Sequence, residues 1–174
     1  MNIRVAALPL VLMLLLSGGA ACHLRLSGDP EIRIRNQEDG TILASMPVKV
    51  GDHLVFEWIH SYEHIPWIEE YTITEDQVFR LDTIRVAGFG AGIPNHKGET
   101  TVENGMVVMR NINESFPSFA WIHSRTALVS ITVEGTTLIE GGDLPHHQAV
   151  TMTLEGMKRL WTKSPSTIPI KNRN

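Results

Sequence analysis

From Glu31 onward the chain alternates apolar and polar residues with a period of two, in short runs broken by turn residues. Such alternation sends successive side chains to opposite faces of a strand, so each run reads as a half-buried β-strand. Glu31-Ile32-Arg33-Ile34-Arg35 alternates cleanly, Asp39-Gly40 reads as a turn, and Thr41 to Val48 returns, which predicts a hairpin. Leu54 to His60, Trp67 to Thr74 and Gln77 to Ala87 follow as strand candidates rich in β-branched and aromatic residues. Gly88-Phe89-Gly90-Ala91-Gly92-Ile93-Pro94 reads as a tight loop shaped by glycine. Asn104-Gly105, between Thr100 to Glu103 and Met106 to Arg110, predicts a second hairpin. Phe119 to His123, Ala127 to Val133, Thr136 to Glu140 and Gln148 to Leu154 complete the set. Strands at this spacing predict an all-β, single-domain fold, a β-sandwich or small barrel of antiparallel strands over residues 30–155. Residues 156–174 read as a short helix around Glu155 to Trp161 and a mobile tail with two prolines after Ser164.

The first residues follow a different rule. Arg4 is the only charged side chain before Arg25, and Val5 to Leu16 is apolar throughout except for Pro9. The small residues Ser17-Gly18-Gly19-Ala20-Ala21 then lead to Cys22. A short positive start, a short apolar run and a small-residue site predict that residues 1–22 are an export signal peptide, with an uncleaved membrane anchor as the alternative. Cys22 after Ala20-Ala21 resembles the lipobox of bacterial lipoproteins, which would make Cys22 a lipidation site, although Gly19 stands where that pattern prefers Leu. The expected location is the extracytoplasmic, periplasmic side, membrane-attached or secreted.

Composition adds bounds. Hydrophobic residues make up 43% and charged residues 20% of the 174 residues, the balance of an ordinary globular domain. A net charge of −4 with no basic run gives no footprint for nucleic acid. One cysteine allows no disulfide within the chain, so the core must hold the fold.

Candidate chemistry concentrates between His60 and Tyr71. Alternation puts Leu54, Phe56, Trp58 and His60 on one face, and Trp67, Glu69, Tyr71 and Ile73 on one face of the next strand. If the two strands pair through Ser61 to Pro66, His60 and Glu69 meet at the mouth of the core. Such a pair serves as a general base, a ligand clamp or a structural lock.

His60-Ser61-Tyr62-Glu63, then Pro66, then Glu69-Glu70-Tyr71, then Gly90-Ala91-Gly92-Ile93-Pro94 resembles the signature of domain-of-unknown-function family 1850, over about Ile32 to Leu154. Tyr62 replaces the family's usual Val, and Ile93 its usual Leu. The family comprises small exported or membrane-anchored bacterial proteins, often encoded beside TRAP-type transporters. The resemblance therefore implies location and company, with a TRAP-type transporter subunit as the expected partner, but no reaction.

Several sharper readings compete. His60, Glu63, His64, Glu69, Glu70 and His96, or the adjacent His146 and His147, offer metal-ligating side chains, but Pro66 and the strand pattern argue against the helix that would align His60 with His64. Ser61 and Ser124 each follow a histidine, and strand neighbours point to opposite faces, which disfavours a Ser–His nucleophile; a Gly-x-Ser-x-Gly elbow is missing. The glycine loop suits either an anion-binding nest or a constrained turn with a bulge. Trp58 and Trp121 read as core, whereas Trp67 lines a pocket or joins Tyr62 and Ile68 in a patch for a protein partner. Trp58-Ile59-His60-Ser61 recurs as Trp121-Ile122-His123-Ser124 with unmatched flanks. The expected function is a small-ligand binding or accessory protein. Its ligand site is drawn from His60, Ser61, Glu63, Trp67, Glu69, Tyr71, Gly90 and Gly92, with no cofactor or metal assigned. The rivals are an enzyme using His60 with a carboxylate, and a structural subunit without ligand.

Overall fold

The period-two runs become twelve strands in a computed structural model that describes residues 30–156 apart from Phe89, Ala91, Asn95 and His96. Cys22, the N-terminal segment, His96 and nearly all of the 156–174 helix and tail lie outside the described residues. The strands are β1 (Glu31–Asn36), β2 (Ile42–Pro47), β3 (His53–Ile59), β4 (Pro66–Ile73), β5 (Phe79–Val86), β6 (Glu99–Glu103), β7 (Met106–Arg110), β8 (Glu114–Phe116), β9 (Ser118–Ile122), β10 (Leu128–Val133), β11 (Thr136–Glu140) and β12 (Ala149–Glu155). Every pairing is antiparallel. They form two sheets, one ordered β2-β1-β12-β9 and one ordered β11-β10-β3-β4-β5-β7-β6, with β8 attached to β5. The chain is an all-β domain in a sandwich-like arrangement, and the described residues contain no helix.

Both predicted hairpins form. The β1–β2 pair closes over Asp39-Gly40, and β6–β7 closes over Asn104 and Gly105, both at positive φ (51° and 80°), the backbone that a two-residue hairpin turn requires. Strand β8 has no counterpart in the hydrophobic pattern; Asn111 and Asn113, both at positive φ, turn the chain so that these three residues pair with the first half of β5 while β7 takes the second half.

The core is aromatic at its centre. Phe56 of β3 lies against Phe119 and Trp121 of β9, with ring centroids 5.3 and 6.3 Å away, and these contacts join the two sheets. Fully buried Ile32, Ile34, Val150 and Met152 line the smaller sheet, and Leu54, Ile73, Val86 and Ile131 the larger. The outer face of β1 carries Arg33 and Arg35, which pair with Glu155 of β12; Arg33 also pairs with Glu31.

The register gives the sandwich two distinct ends. Glu31 faces Glu155, so the first and last described strands begin and finish side by side. Pro30 accepts a hydrogen bond from Val48 at this end, and β3 starts here soon afterwards. Strand β3 runs away from it, since Phe56 meets Phe119 and then Trp58 meets Trp121, and it delivers His60 to the opposite end.

Candidate functional site

The inward face of β4 breaks the apolar pattern once. Trp67, Glu69, Tyr71 and Ile73 share it, opposite Trp58, Phe56, Leu54 and the start of β3. A carboxylate on an inward face is costly unless it is hydrogen-bonded. Glu69 is held by its own strand: Trp67 Nε1 donates to Oε1 at 3.0 Å and Tyr71 Oη donates to Oε2 at 2.9 Å. Residues two apart point to the same face, which lets both neighbours reach it. Burial first, and then the Glu69 charge, push the Tyr71 phenol far above its ordinary range, so it stays a protonated donor. Its ring is wedged edge-on against Phe56 and Phe119.

His60 sits just past the end of β3, in the turn that leads to β4. Its backbone N–H donates to the Ile65 carbonyl at 2.8 Å, and its carbonyl accepts from His64 N–H at 2.9 Å. The ring is fixed as well. Glu63 N–H donates to Nδ1 at 3.1 Å, which makes Nδ1 the unprotonated nitrogen and leaves the proton on Nε2. The ring stacks on Trp67, with centroids 5.7 Å apart and planes 15° from parallel. Nε2 faces the glycine loop, where a Cβ on Gly92 would come within 3.7 Å of it.

These groups border a cavity of about 400 Å³ lined by Trp58, Ile59, His60, Ser61, Trp67, Glu69, Gly92 and Ala127. That volume falls within the range of small-molecule sites. Among the described residues no cation pairs with Glu69, and each of its oxygens keeps a lone pair beyond the bond it already accepts. The cavity therefore offers the N–H of His60, the hydroxyl of Ser61, one carboxylate, and indole walls.

Five of the eight expected site residues meet here: His60, Ser61, Trp67, Glu69 and Gly92. The other three stand just outside. Tyr71 is buried beneath Glu69 and forms no wall of the cavity. The Glu63 carboxylate lies over Gly90, where a Cβ would overlap it, so these two close the turn against the loop. His60 and Glu69 come to one cavity without bonding to each other; Trp67 links them, stacked on the imidazole and bonded to the carboxylate. Because β3 ends at Ile59, alternation no longer separates Ser61 from His60, and both line the cavity. No hydrogen bond joins them among the described residues, and Nδ1 is already occupied.

Trp58, Ile59 and Ala127 also line the cavity. Trp58 reads as core from its apolar strand, but its position across from Trp67 leaves part of the indole facing the mouth. Ala127 arrives from the far side of the chain, where its carbonyl accepts from Ile59 N–H at 2.7 Å, and nothing in local sequence signals it. Among the described residues no group of three or more histidine, cysteine or acidic side chains is placed to hold a metal ion. The rings of His146 and His147 stack 3.9 Å apart, and burial first, then His147, hold the His146 imidazole below its ordinary range.

The family model for the domain of unknown function DUF1850 matches residues 54–138, a shorter stretch than the Ile32 to Leu154 span of the sequence resemblance. No curated protein and no solved structure matches the chain. The matched stretch runs from β3 into β11 and contains every residue lining the cavity, whereas β1, β2 and β12 lie beyond it. Over residues 54–138 the chain matches the DUF1850 family, the one that its sequence motifs resemble.

Proposed function

We propose that the domain is a small-molecule binding module of an extracytoplasmic accessory protein, attached to the membrane through its N-terminal segment and serving a solute transporter. One observation carries the binding reading: His60, Ser61, Glu69 and Gly92, four residues of the family signature, converge on one cavity with oriented polar groups and aromatic walls. Sites that bind small molecules combine apolar and aromatic walls with a few fixed polar groups in this way. Attachment is supported by the apolar run Val5 to Leu16 and the small residues before Cys22. The transporter role rests on the resemblance alone.

Ligand-observed NMR on the full chain, against a panel of small solutes, tests the binding reading. At least one solute is expected to bind, and His60→Ala is expected to abolish binding while leaving the circular dichroism unchanged. Failure of the whole panel removes the reading. Crosslinking in cells, with His60→Ala alongside, tests the transporter role. Recovery of a transporter subunit with the native protein is expected, and recovery of nothing above background counts against it.

A further inference from the structure

We infer that the cavity takes a small organic ammonium ion carrying an oxygen acceptor, with the cationic end at Glu69 and the oxygen at His60. This rests on the binding reading and names its ligand class.

The argument begins with charge. Among the described residues Glu69 is the one carboxylate lining the cavity, and its two bonds come from neutral donors, an indole N–H and a phenol O–H. No guanidinium or ammonium group among the described residues lies against it; the neighbouring Glu70, on the outer face of β4, takes Arg85 instead. The cavity thus keeps an uncompensated negative charge, which repels an anionic ligand and attracts a cation.

The walls choose the kind of cation. A metal ion needs several oxygen, nitrogen or sulfur ligands, and among the described residues one carboxylate stands alone in the lining while the accessible His60 nitrogen carries a proton. The Trp58 and Trp67 indoles instead line the cavity, and the electron-rich face of tryptophan is the best aromatic partner for a charge-diffuse organic cation. Donation of the Trp67 N–H to a carboxylate leaves that ring richer in electrons and commits its indole proton to Glu69. His60 Nε2–H is then a fixed donor, directed where Gly92 leaves room, and it calls for a hydroxyl or carbonyl oxygen on the ligand.

Titration of the intrinsic tryptophan fluorescence of the full chain tests this with three probes: choline, its uncharged carbon isostere neohexanol, and pivalate, an anion of similar bulk. Choline is expected to bind about tenfold or more tightly than neohexanol, and pivalate more weakly than either. Glu69→Gln is expected to erase the preference for choline while retaining whatever affinity neohexanol has. The comparison of probes on the native protein stands even if that variant folds poorly. Equal or tighter binding of neohexanol or pivalate overturns the cationic class and leaves the binding reading intact. Binding of none of the three at millimolar concentration also overturns it, and the solute panel then decides the binding reading separately.

Discussion

The tetrapeptide Trp-Ile-His-Ser occurs twice, at 58–61 and 121–124, and the two copies meet across the sandwich with their indoles 6.2 Å apart at 89°. Their histidines nevertheless have opposite fates. His60 leaves β3 into a turn, accepts from Glu63 N–H and turns Nε2–H toward a cavity. His123 is fully buried, with Nε2 bonded to the Gly141 carbonyl at 3.0 Å and its backbone bonded to Gln148 and His147. The serines diverge likewise. Ser61 is exposed at the cavity, whereas Ser124 Oγ bonds Thr126 Oγ1 and accepts from Ala127 N–H. Identical local sequence acquires a different role because different distant segments are folded against it: the glycine loop in one case, the β11–β12 connection in the other.

Substitutions can break that contrast. The largest effect is expected at the buried copy. His123→Ala opens a hole in a closed site and strands the Gly141 carbonyl, and should cost about 3 kcal/mol in chemical denaturation. Gly141→Ala should cost at least as much, because a Cβ there would overlap the Leu128 carbonyl, which cannot swing aside as a side chain would. Next comes the support beneath the open copy. Tyr71→Phe removes a buried donor from a carboxylate and should cost about 2 kcal/mol. The raised phenol pKa also sets a pH limit. Its contribution is fully present below the ordinary value of 10.0 and is lost as pH rises toward the folded-state value, so denaturation midpoints should fall above about pH 10 in the native protein and less in Tyr71→Phe.

His60→Ala should cost less than about 1 kcal/mol, as befits a half-exposed turn residue. A loss matching that of His123→Ala would make His60 a structural lock and erase the contrast. Smallest of all is the exposed ion pair at the sheet edge. Arg110 bonds both Glu103 oxygens, at 2.6 and 2.8 Å, and chiefly through this holds the carboxyl down to about 2 from an ordinary 4.5. Its contribution is present above pH 4.5 and is lost as pH falls through about 2. Carboxyl NMR should show that low midpoint, with little change in stability because the pair is solvent-exposed.

Much of this was legible in the alternation. Eleven of the twelve strands follow runs or turn signals visible in the sequence, and period two alone placed His60 with Trp58 and Glu69 with Trp67 and Tyr71. Strand β8 was not legible, because three residues ending just before Pro117 carry no periodicity and gain their pairing from β5, far back in the chain. Nor was the order of the sheets, in which β12 inserts between β1 and β9. At the site, alternation could not show that β3 stops one residue before His60, which is what lets Ser61 share the cavity. It also gave no sign of Ala127, whose place depends on how β10 enters beside β3.

The pairing of Glu31 with Glu155 has a practical consequence for handling and orientation. Both ends of the described chain leave from the end of the sandwich farthest from His60. Whatever holds the protein at Pro30 or at Gly156, whether a bilayer, a bead or the surface of a sensor chip, grips it by the base and leaves the cavity's mouth facing outward. Either end can therefore be used for attachment without fouling the mouth, and a dye placed at Ser61 would report the solution side of such a surface.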